Sequence, residues 1–194
     1  MKWILILFAV LFFSCQSEFR DVQELNNYIQ KSENGLIRVN KLGDIEIVVR
    51  YIPGDLFIKR EFDSGTKDID LLKMKYYNNY YFVLTMKVNG QDLLNNTAVD
   101  KELFSKLNNE LSFNLDERVK LVDQKDDTVQ LSDFVFPKMY EFSKSTEILM
   151  VFKRDQIKTK NFKIIVDIFD WPQKDKEFNF SKNSIENLQN LIIE

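Results

Sequence analysis

Glu147-Ile148-Leu149-Met150-Val151-Phe152 decides the fold. Five apolar residues in succession, rich in β-formers and flanked by polar sequence, read as a strand covered on both faces inside a sheet. Ser145 and Thr146 precede the run, and the polar loop 153–160 follows it. A second apolar segment, Phe162-Lys163-Ile164-Ile165-Val166-Asp167-Ile168-Phe169, comes next and ends at the turn Asp170-Trp171-Pro172. Phe178 and Phe180, two apart, place one more short strand on a shared face.

Working back toward the start, the same pattern recurs. Residues 36–42 and 45–52 are β-branched segments separated by Gly43-Asp44, which predicts a hairpin, with Pro53-Gly54 as a closing turn. Residues 56–62 are mixed and read as irregular or as a short strand. Tyr80, Phe82, Leu84, Met86 and Val88 alternate along one face of a strand that Asn89-Gly90 ends. Residues 119–122 and 128–136 are further strands around an Asp-rich turn at 123–127. Strands in runs, with few β-α-β alternations, predict a mainly β protein: an antiparallel β-sandwich, immunoglobulin-like or related.

Helices are expected as additions to this frame. Phe19, Val22, Leu25, Tyr28 and Ile29 recur at helical spacing over 20–32, and Asn34-Gly35 stops them. Ile69, Leu72 and Tyr76 share a face over 68–76. Leu103, Phe104, Leu107 and Leu111 form the stripe of a helix over 98–111, with Thr97 as its cap and Asp100 three residues on. Ser184 caps a last helix over 184–192 bearing Ile185, Leu188, Leu191 and Ile192. Asn78-Asn79 is expected to form a type I′ turn between Tyr76-Tyr77 and Tyr80-Tyr81.

The first fifteen residues have a different character. Trp3 to Phe13 is an unbroken run of eleven apolar residues after Met1-Lys2. A helix of that length covers about half of a bilayer core about 30 Å thick, so it does not span. It has the length of the apolar region of an export signal. The run ends at Phe12-Phe13-Ser14-Cys15, and Cys15 is the sole cysteine. This ending resembles the lipobox of bacterial lipoproteins, with a small residue before an obligatory cysteine. It departs from the commonest pattern in having Phe12 and Phe13 at the third and second positions before Cys15. The resemblance implies removal of 1–14, acylation of Cys15, a lipidated tether over 15–20 and a single β-rich domain over 21–194. It further implies anchoring to a membrane through the acyl chains. Gln16 is not the aspartate that marks inner-membrane retention in enteric lipoproteins, so the implied location is the outer membrane of a Gram-negative bacterium.

Composition narrows the function classes. Lys and Arg number 27 against 30 Asp and Glu, for a net charge of −3. That balance speaks against nucleic acid, which requires a basic face. No histidine is present, which removes the commonest general base and metal ligand. An acylated Cys15 removes thiolate chemistry as well. Asp123, Asp126 and Asp127 share a turn but lack the calcium-loop spacing. Asp68 with Asp70, and Asp116 with Glu117, are carboxylate pairs with no sequence evidence of a cleft between them. The expectation is therefore a protein without catalytic residues, metal or cofactor, that docks another envelope protein. Its candidate contacts are Trp171 and the tyrosines Tyr76, Tyr77, Tyr80 and Tyr81. The alternative is a binder of carbohydrate or another small ligand, stacked on those same aromatic rings.

Overall fold

The computed structural model describes residues 18–137, 145–169 and 173–194. The segment 1–14, Cys15 and Trp171 lie outside them. Two antiparallel sheets and several helices make the protein mainly β.

The chain opens with helix α1 (Val22–Gln30), capped by the Asp21 carboxylate on the Glu24 amide at 2.8 Å. Of its predicted stripe, Leu25 and Ile29 are fully buried, while Val22 and Tyr28 stay partly open. The expected hairpin follows as β1 (Ile37–Leu42) and β2 (Ile45–Ile52). Pro53 does not close it as a turn. It sits at the N-cap of a ten-residue helix, α2 (Gly54–Asp63), where 56–62 had been expected to be irregular or strand. Proline's fixed φ and missing N–H suit a helix start as well as a turn. A Cβ at Gly54 would lie 3.1 Å from the Tyr77 ring, so a larger residue there would push that ring outward by a few tenths of an ångström. Helix α3 (Ile69–Tyr76) begins at Asp68, whose carboxylate accepts from the Leu71 amide at 3.0 Å.

Strand β3 (Asn79–Val88) is central to the larger sheet. It is followed by β4 (Gln91–Asp92), α4 (Leu93–Thr97), α5 (Lys101–Phe113) and α6 (Leu115–Arg118). The cap of α5 is Asp100, accepting from the Glu102 and Leu103 amides at 3.1 and 3.0 Å. Thr97, expected in that role, instead closes α4 by donating to the Leu94 carbonyl. Then come β5 (Val119–Asp123), β6 (Thr128–Gln130), β7 (Asp133–Val135), β8 (Thr146–Lys153), β9 (Asn161–Val166), β10 (Glu177–Ser181) and α7 (Lys182–Glu186).

The larger sheet runs β1-β2-β3-β8-β7 with β4 on β3; the smaller runs β10-β9-β5-β6. The opening stretch is β8, an interior strand paired with β3 on one side and β7 on the other. Its Ile148, Met150 and Phe152 are fully buried. They share one core with Tyr80, Phe82, Leu84 and Met86 of β3 and with Phe162, Ile164, Phe178 and Phe180 of the smaller sheet. Phe82 contacts Phe152, Phe162 and Phe180 at ring distances of 6.2, 6.2 and 5.0 Å, which ties the two sheets through one side chain.

The sheets also meet at their edges. Arg38 and Asn40 of β1 donate to the Asn179 and Glu177 carbonyls of β10 at 2.6 and 3.2 Å. These side chains cap an otherwise open strand edge. Residues 128–136, expected as one strand, are two. The chain leaves the smaller sheet after Gln130 and joins the larger at Asp133. Ser132 makes the crossing by donating its amide and hydroxyl to the Val151 carbonyl. The final helix stops at Glu186, short of the expected 192. Residues 187–194 run on as a strap, and the chain near its start pairs with it. The Phe19 amide donates to the Asn190 carbonyl at 2.9 Å, and the Ile192 amide to the Phe19 carbonyl at 3.0 Å.

Candidate functional site: the tyrosine cleft

The four candidate tyrosines straddle the junction of α3 and β3. Tyr76 ends the helix, and Tyr77 caps it in a right-handed conformation. The only non-glycine residues with positive φ among those described are Asn89 and Asp126, so Asn78-Asn79 form no type I′ turn. A helix running directly into a strand replaces the expected hairpin. Asn78 instead donates its side-chain amide to the Met74 carbonyl at 2.9 Å, closing the last turn of α3.

Alternation along β3 then divides the rings. Tyr81 faces outward beneath α2, 4.6 Å from the Phe57 ring, which also stacks on Tyr76 at 5.4 Å. The Tyr76 hydroxyl donates to Glu61, which also pairs with Lys75 at 2.7 Å. Tyr80 faces the core and stacks on Phe162 at 6.5 Å, with Tyr51 set edge-on at 6.1 Å. Tyr80 and Tyr81 are buried. Tyr76 and Tyr77 are partly exposed.

Tyr51, Tyr76, Tyr77 and Tyr80 line a cleft of about 120 Å³ with Asp55, Arg154 and Glu186. The strap supplies a further wall through Leu188, Gln189 and Asn190. Two carboxylates organise it. Asp55, in the first turn of α2, is 5% exposed. Its Oδ1 accepts from the Tyr77 hydroxyl at 2.6 Å and its Oδ2 from the Leu191 amide at 2.8 Å. Glu186 Oε1 accepts from the Tyr80 hydroxyl and from Arg154 Nη2, both at 2.8 Å, with Lys182 at 3.7 Å. The Arg154 guanidinium lies over the Tyr80 ring at 5.5 Å.

Burial pushes the Tyr51, Tyr77 and Tyr80 phenols well above the usual range, and the adjoining carboxylates push those of Tyr77 and Tyr80 further. All three stay protonated at neutral pH, and Tyr77 and Tyr80 donate to their carboxylates. Burial works against the Glu186 charge, but Arg154, Tyr80 and Lys182 outweigh it and hold the carboxyl below the ordinary glutamate range. Asn79 Oδ1, on the same cleft, is a buried acceptor without a partner among the described residues.

Chemically, the cleft is a set of groups committed to one another. A ligand stacking on Tyr80 would have to displace charge-assisted hydrogen bonds, the Tyr80–Glu186 bond among them partly buried. The volume falls below the roughly 300–1,000 Å³ of typical small-molecule pockets. Among the described residues no group of three or more acidic side chains is placed to hold a metal. The Asp123 carboxylate is instead spent on its own turn, accepting from the Lys125 and Asp127 amides. Asp55, Arg154 and Glu186 were not singled out from sequence. Asp55 looked like part of a Pro-Gly turn, and an Arg and a Glu 32 positions apart carry no local signal of their pairing.

Neither a family model nor a curated protein matches the sequence. Among solved structures, a DUF4426 family protein from Pseudomonas aeruginosa PAO1 is similar at 13% identity and a TM-score of 0.38, covering 76% of this chain and 93% of that one. A protein of unknown function from Burkholderia pseudomallei K96243 is similar at 10% identity and a TM-score of 0.39, covering 85% and 86%. Among the described residues no helix is long and apolar enough to cross a membrane.

Proposed function

We propose that the protein is a lipid-anchored, non-enzymatic component of the cell envelope that docks another envelope protein. In this reading acyl chains on Cys15 hold it to a membrane, the outer membrane of a Gram-negative bacterium. The observation that supports docking is on α3. Leu72 is fully buried on its inner side, while Leu71 and Met74 stand 55% and 71% exposed on the outside. Three apart on a helix, they are surface neighbours. The internal commitment of the tyrosine hydroxyls favours a contact surface over a stacking platform for ligands. The two sheets are read as a β-sandwich. The sequential meander β1-β2-β3 differs from the ABED and CFG strand order of immunoglobulin constant domains, so a related sandwich is the better description.

The test is cross-linking in the envelope followed by affinity purification. A stoichiometric partner that is captured by the native protein and lost with Leu71→Glu/Met74→Glu supports docking through α3. Capture unaffected by that double variant contradicts it. Cys15→Ser is expected to release the protein from the membrane fraction and abolish palmitate labelling; retention and labelling unchanged would sink the anchor.

A second reading is favoured by Asn79 alone. Its unpartnered acceptor in the cleft suits a small ligand with an N–H or O–H donor. Binding on a glycan or metabolite array, lost in Asn79→Leu, supports that reading over docking.

A further inference from the structure

We infer that the end of the molecule bearing the tyrosine cleft and the strap faces the bilayer, and that the α4–α5 end points away from it. The inference rests on acylation of Cys15. Its structural basis is the pin at Phe19. That side chain is 6% exposed and lies 5.2 Å from the Tyr28 ring. Its backbone is bonded on both sides to the strap, by the Asn190 carbonyl and the Ile192 amide. Only four residue steps separate Cys15 from Phe19, and a fully extended chain covers about 3.3–3.6 Å per residue. The pin therefore sits no more than about 14 Å from the acylated residue.

The pin also belongs to one end of β3. Asn190, which accepts from Phe19, lines the cleft, and Leu191 bonds to Asp55, which holds Tyr77 just before β3 begins. Ten residues of strand at about 3.3 Å each carry the chain roughly 30 Å to the other end. There Asn89 donates to the Asp44 carbonyl between two hairpin turns. Val99, 95% exposed, lies in the connection between α4 and α5, the helices that follow the β3–β4 turn at that end. A tether much shorter than the molecule leaves it little freedom to invert.

The surface next to the pin contains Glu18, Asp21 and Glu24 against Arg20, with Gln23 and Ile192 beside them. It is acidic, so it gains nothing from anionic headgroups. The acyl chains alone hold this end at the lipid surface.

The test uses the full lipidated protein in vesicles carrying an energy-transfer acceptor on the lipid headgroup. With Cys15 acylated, a cysteine introduced at Gln23→Cys or Val99→Cys is the only thiol to label. Flotation of both proteins with the vesicles, and transfer several-fold stronger from position 23 than from 99, are expected. Insertion of about twenty Gly/Ser residues after Ser17 gives a flexible linker with a root-mean-square span of about 25 Å and a fully extended reach of about 70 Å. That insertion is expected to keep flotation and erase the difference. Flotation with equal or reversed transfer overturns the orientation and leaves the lipid anchor standing. Failure to float overturns both.

Discussion

Each end of β3 is organised by a buried aspartate, and the two work differently. Asp55 and Asp92 are 5% and 6% exposed, and each lies at the start of a helix, α2 and α4. Asp92 acts locally. It caps α4 through the Asn95 amide at 2.8 Å and accepts from the Thr146 hydroxyl at 2.9 Å, at the start of the neighbouring strand β8. Asp55 acts at long range. Its partner Leu191 lies 136 residues away, and through the strap it fixes Phe19. The same side chain in the same kind of place thus secures a cap at one end and closes the chain on itself at the other. Only the second arrangement bears on the proposed orientation at a membrane.

Substitutions sharpen the contrast. Asp55→Ala has the largest expected effect, about 3 kcal/mol, because it strands a partly buried phenol donor and a buried amide. Chemical denaturation measures it, and trypsin should then cut at Arg20. Asp92→Ala is expected to cost about 2 kcal/mol, from the lost helix cap and the orphaned Thr146 hydroxyl, with the strap unaffected. Equal exposure of the strap in both variants would remove the distinction between the two ends.

Glu186→Gln is expected to cost about 1 kcal/mol at neutral pH, a low figure because about a third of the Glu186 side chain is exposed. Its folded-state carboxyl titrates below the ordinary value. The stabilisation is therefore present above the unfolded value of about 4.3 and lost as pH falls through the folded value. Denaturation midpoints of the two proteins should converge as pH falls; a gap that stays constant throughout acid titration would contradict the ion-pair assignment. At the far end, Gly90→Ala is expected to cost about 1 kcal/mol through backbone alone. Its φ is 75° and no atom lies within 4 Å of an added Cβ. Val99→Ser, on a side chain that packs against little, should stay within about 0.5 kcal/mol.

The strands were legible where one period held along the whole element. In β2 and β3 the alternating apolar residues face the core, and in β8 the unbroken apolar run matches an interior strand covered on both faces, so sequence and burial agree. The failures share a cause of another kind. Residues 54–63 carry Leu56, Phe57 and Ile58 in succession, which hides a helical stripe, and their Pro-Gly start looks like a turn. Leu188, Leu191 and Ile192 have helical spacing, yet the Leu191 amide goes to Asp55, a tertiary bond that outcompetes the local one. Residues 128–136 are rich in β-formers throughout, which hides the change of sheet at Ser132, where the apolar positions shift from Val129 and Leu131 to Phe134 and Phe136. The site was half legible. The tyrosines were visible as a cluster, but the division of Tyr80 from Tyr81 and the carboxylates that hold them depend on residues brought in from α2 and α7.

Amide hydrogen exchange at Phe19, Leu191 and Ile192 tests the central claim most directly, because the pairing of Phe19 with the strap depends on those amides. The account predicts slow exchange at Phe19 and Ile192 in the native protein, as for buried ladder bonds, with a marked acceleration at Leu191 and Ile192 in Asp55→Ala and no change in Asp92→Ala. Exchange at the rate of a free chain in the native protein, or equal acceleration in both variants, would contradict it.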